Sequence, residues 1–140
     1  MGPGRVRAGQ NGGPTIARYA FQSVGIKLGE EINISVANFH DVPPPCRIRL
    51  LDSTGNIVAD SGEFRLPAQG TIHFTVPYSK LPAVQDGARR QVRAVVLIFR
   101  VPDSTDTIPP PCRPGIELVS SLTGHTFGVV TPREPEMTFQ

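Results

Sequence analysis

Apolar and polar residues alternate with a period of two along much of this chain. Ile32, Ile34 and Val36 alternate with Asn33, Ser35 and Ala37, and Ile72, Phe74 and Val76 alternate with Thr71, His73 and Thr75. Successive side chains of a strand point to opposite faces, so this spacing predicts strands with one buried and one solvated face. Ile48 and Leu50 alternate with Arg47 and Arg49 in the same way. The stretch "DSTGN" (52–56) then supplies a turn from which 57–59 return antiparallel. A first strand is expected over 15–24, with Ala17, Tyr19 and Phe21 on one face, followed by a turn at "GIKLGE". Phe64 and Leu66 mark a further short strand, 78–88 a connection with room for one helical turn, and "GIELVSS" with "HTFGVV" a closing hairpin or bent strand about "LTG".

One segment departs from alternation. In "RRQVRAVVLIFRVP" (89–102), Val95, Leu97 and Phe99 interleave with Ala94, Val96 and Ile98, so both faces of the strand are apolar. This pattern predicts a central strand covered on both sides, by its own domain or by a neighbour.

Seven to nine short strands with turn signals between them, and no helical periodicity, predict an all-β fold. The expected form is a two-layer antiparallel β-sandwich over 15–130, with a jelly roll as the alternative closure. Residues 1–14 hold five glycines and two prolines and read as a flexible arm, and 131–140 read as a C-terminal tail. The order of elements over 15–130 resembles immunoglobulin-like and fibronectin-type modules of bacterial secreted proteins. That resemblance implies immunoglobulin-like topology and an extracellular or cell-surface setting.

Composition agrees with many strands and turns: of 140 residues, 14 are Gly and 15 are Pro. Fourteen basic and 12 acidic residues give a formal charge of +2, too small an excess to call for nucleic acid or an anionic membrane as partner. No apolar run is long enough for a transmembrane helix.

The two cysteines lie in related settings, "VPPPCRIRL" (42–50) and "IPPPCRPGIEL" (108–118). Each copy passes through a proline run into an apolar strand, as either an internal duplication or a repeated strand-entry device would produce. With an even count and polar, proline-rich surroundings, a Cys46–Cys112 disulfide is expected, and with it an oxidising compartment. Placing 46–51 and 116–121 on either side of 89–102 in one sheet would require both loops to lean inward for the bond to form.

Candidate chemistry is sparse. His40, His73 and His125 are scattered, and two cysteines without Cys-x-x-Cys spacing do not make a zinc site, so no metal ligands and no cofactor are assigned. Asp60 and Glu63 form a close carboxylate pair in a turn, where solvated surface carboxylates are expected. Ser61, Ser79 and Ser120 have no local base. Asp103, Thr105 and Asp106 offer oxygens without the density of a calcium loop. No catalytic residue is therefore assigned.

Interaction chemistry is better represented. Arg89, Arg90 and Arg93 cluster at the start of the two-faced strand, with Arg47, Arg49 and Arg100 on neighbouring positions and Arg5 and Arg7 in the arm. Val95, Leu97 and Phe99 supply an apolar face. The resulting expectation is a non-catalytic subunit that self-assembles, as a homo-oligomer or polymer, through arm, sheet edge or outer face. Two alternatives are a monomeric protein- or carbohydrate-binding module, with Tyr19, Tyr78 and Phe127 as the first aromatic contacts, and a small capsid-like nucleic-acid binder.

Overall fold

The computed structural model describes residues 15–81, 89–102, 112–120, 122–130 and 136–139. The expected arm and the candidate oxygens of Asp103, Thr105 and Asp106 lie outside the described residues.

Ten strands are described: β1 (Thr15–Ala20), β2 (Val24–Ile26), β3 (Glu30–Asn38), β4 (Pro45–Asp52), β5 (Ile57–Arg65), β6 (Thr71–Pro77), β7 (Arg90–Phe99), β8 (Cys112–Ser120), β9 (Thr126–Val130) and β10 (Glu136–Phe139). They form two antiparallel sheets, a two-layer sandwich as the alternation predicts. Sheet A runs β10-β1-β7-β4-β5, with β2 also on β7, and sheet B runs β6-β3-β8-β9.

The expected first strand is broken in two. β1 pairs with Val95–Phe99 and β2 with Arg90–Val92, so both lie along one side of β7. Phe21 bridges the break by donating its N–H to the Ala94 carbonyl at 3.0 Å. Part of "GIKLGE" is therefore strand; the turn itself closes at Gly29, where φ is +86°. The C-terminal segment also departs from its reading as a tail, because residues 136–139 pair with β1.

The core lies between the sheets. Ile32, Ile34 and Val36 of sheet B face Ile48, Leu50, Val96 and Ile98 of sheet A, all without solvent exposure. Each such side chain stabilises the fold by roughly 1.5–3 kcal/mol relative to exposure. Burial of β3 alternates strictly, residue by residue, as its sequence pattern requires.

β4 lies beside β7 in sheet A, whereas β8 pairs with β3 and β9 in sheet B. The two related segments thus open strands on opposite sheets, and the expected Cys46–Cys112 disulfide is corrected. Cys46 and Cys112 are both buried thiols, and no disulfide joins them. Enclosed in the apolar core, they pack as small hydrophobic groups.

Candidate interaction face

Val92, Ala94, Val96 and Ile98 of β7 belong to the core, and the odd-numbered residues between them point away from it. The outer face of sheet A thus carries Val95, Leu97 and Phe99 along its central strand. Register sets Ile16 beside Phe99, Arg18 and Arg47 beside Leu97, and Ala20 and Arg49 beside Val95. Val95 is only 5 % exposed despite pointing outward, while Leu97 and Phe99 are half-buried.

The flanking charges are fixed by β5. Arg47 donates from Nε to Asp60 Oδ1 and from Nη2 to Oδ2, both at 2.9 Å. Arg49 Nε approaches Asp60 Oδ2 at 3.5 Å, a charge contact that lacks hydrogen-bond geometry and leaves that buried nitrogen without a hydrogen-bond partner. The Arg47 guanidinium, aided by the Gly62 N–H, holds the Asp60 carboxyl below its usual range. Asp60 and Glu63 therefore lie at the rim of the face, where Glu63 is the register partner of Arg47. Ser61 is also structural: its hydroxyl accepts the Ile48 N–H at 2.8 Å.

The arginine cluster expected at the start of β7 disperses. Arg89 pairs with Glu30 at 2.9 Å and donates to the Gly25 carbonyl. Arg90 lies over the Tyr78 ring, 3.9 Å from its centroid, and donates to the Tyr78 and Leu81 carbonyls around a single turn of 3-10 helix, Tyr78–Lys80. Arg93 alone of the three stands exposed on the outer face of sheet A. The sequence places all three together, but alternation sends Arg90 to the side opposite Arg93.

The aromatic contacts expected for a carbohydrate are also redirected. Tyr19 and Tyr78 are buried among core residues, and Tyr19 hydrogen-bonds to the Cys112 backbone. The side chain of Phe127 lies outside the described residues.

A second surface escapes a reading by periodicity, because it is built from loops. Asn38, 1 % exposed, donates to the Val42 and Pro67 carbonyls at 2.9 and 3.2 Å and accepts the His40 N–H. Gln69 adopts a left-handed conformation, φ +57°, and donates to the Phe39 carbonyl and Asp41. The loop after β3 is thereby tied to the loop before β6, and it presents Phe39 at 63 % exposure. The only sequence signal is an asparagine at a core-phase position of β3.

The outer face of sheet B is polar and internally bonded. Thr75 donates to Asn33, Asn33 to Glu117, and Thr126 to Glu117. Among the described residues, no group of three or more His, Cys, Asp or Glu could hold a metal ion, and no helix is long and apolar enough to cross a membrane. Comparison with protein-family models, curated proteins and solved structures finds no match.

Proposed function

We propose that this chain is a non-catalytic structural subunit that self-associates through the outer face of sheet A, as part of an extracellular filament or surface layer. The observation that carries this reading is the strip Val95–Leu97–Phe99 on the central strand, pointing away from the core and rimmed by Arg18, Arg47, Arg49 and Asp60. An apolar centre with an arginine-rich polar rim is the usual anatomy of a protein interface. Arg18 lies on the β1 side and Asp60 and Glu63 on the β5 side. The extracellular setting rests on the order of elements in the sequence alone and receives no support from a disulfide.

Leu97→Glu tests the reading, since it puts a charge at the centre of the strip without entering the core. Light scattering should show the full chain associating as concentration rises, and the variant should associate at least tenfold more weakly. Equal masses for the two proteins would refute the outer-face reading. The loop surface at Phe39 favours a second reading, a monomeric protein-binding module. In that case the full chain remains a monomer throughout.

A further inference from the structure

The sheet edges are unequally defended. An open strand edge offers unpaired N–H and C=O groups to other chains, and proteins ordinarily blunt it with charge, proline, bulges or short length. β5 has two register shifts, a glycine at φ +72° and the charged residues Asp60, Glu63 and Arg65. β9 has a register shift against β8, and β10 is four residues long. β6 has one of these defences, a proline at its end, and no other. Its pairing with β3 runs without interruption from Thr71 to Pro77, it contains no Asp, Glu, Lys or Arg, and its one proline is the last residue. Among the described residues no strand pairs with its other side.

The direction of its open groups follows from one hydrogen bond. Asn38 donates to the Gly70 carbonyl at 2.8 Å, one step beyond the Ala37–Thr71 pair. Antiparallel ladders alternate bonded and non-bonded pairs, so Ile72, Phe74 and Val76 bond to β3. The N–H and C=O groups of Thr71, His73 and Thr75 are then directed outward. Ile72 and Phe74 pack against the core yet remain half-exposed at this edge.

The structure assigns β6 as a pairing edge for β6 of a second copy, antiparallel about a two-fold axis at Phe74. This rests on the self-assembly reading and supplies it with a second contact. The strand is self-complementary in that register. Phe74 meets Phe74, Ile72 meets Val76, and His73 meets Thr75, so aromatic and β-branched side chains oppose one another and no side chain of permanent charge faces another. Every fully outward-bonding residue except Pro77 retains its donor. The outer polar row of Glu117, Asn33 and Thr75 continues onto His73 of the other copy. The arm, with five glycines and prolines at 3 and 14, is a poor strand to fill the same edge.

The experiment uses the full chain carrying Leu97→Glu, which removes the outer-face contact, and compares it with the same chain carrying His73→Pro. Proline at 73 removes an outward donor that β3 does not use, so the sandwich is retained while the edge is blocked. Sedimentation should find a dimer for the first protein and a monomer for the second. Amide hydrogen exchange adds a residue-level readout: His73 and Thr75 amides should exchange at least tenfold more slowly in the dimer than in the dilute monomer. If circular dichroism shows that His73→Pro has unfolded, Thr75→Lys replaces it, setting two like charges diagonally across the axis. A Leu97→Glu chain that stays monomeric, with fast exchange at His73 and Thr75, overturns the edge proposal, as does a dimer that survives both edge substitutions. A Leu97→Glu chain matching the wild type in mass, with both dissociated by His73→Pro, leaves the edge standing and refutes the outer face.

Discussion

Burial pushes the Cys46 thiol up to about 12, helped by the neighbouring Cys112, and burial alone pushes Cys112 up to about 11. The thiolate is the reactive form, so at pH 8 the native chain should alkylate with iodoacetamide about a thousandfold more slowly than the unfolded chain. Rapid labelling of the native chain would show that the thiols are not enclosed as described. Both thiols belong to the one buried core between the sheets, although the sequence similarity of the two proline-led segments says nothing about which sheet each joins. Asp60 gives a different residue-scale test. Its folded pKa is depressed by Arg47. The stability it contributes is therefore present above its unfolded pKa of about 4 and lost as pH falls through the folded value. Asp60→Asn should flatten the acid limb of a stability–pH curve, modestly, because the pair is partly exposed and screened. An unchanged acid limb would remove Asp60 from that role.

At the scale of elements, β10 carries the clearest test. Its pairing with Thr15–Arg18 makes β1 an interior strand of sheet A. Deleting residues 136–140 should lower Tm by about 5 °C or more, since β1 then becomes an open edge. An unchanged Tm would return this segment to the status of an appendage. In "EMTF" Glu136 and Thr138 alternate with Met137 and Phe139, but four residues are too short a run to predict pairing; the bonds to the β1 backbone make it a strand, and backbone groups are the same in every residue. β2 is hidden for a related reason. Its three residues sit in a stretch rich in turn signals, and it is recognised as strand only through its bonds to Gln91 and its neighbours. By contrast β3 and β6 are legible in the sequence because nine and seven residues give the period of two room to show, and β7 because its ten residues carry a long apolar run.

For the whole molecule, the two proposed contacts lie on different sheets, one on the outer face of A and the other at the edge of B. A single two-fold contact closes at a dimer, whereas two with separate axes propagate. The pair of substitutions Leu97→Glu and His73→Pro therefore separates propagation, pairing and monomer in one series. The alternation of the sequence by itself determined the all-β class, the inward face of β3, β4 and β6, and the two-faced character of β7, since each depends only on side-chain direction along one strand. Tertiary structure alone decided which strands are neighbours, which sheet holds each cysteine, how the arginines of β7 part company and which edge is left open. Those outcomes depend on backbone hydrogen bonds between segments distant in sequence, and such bonds leave little imprint on the residues that make them.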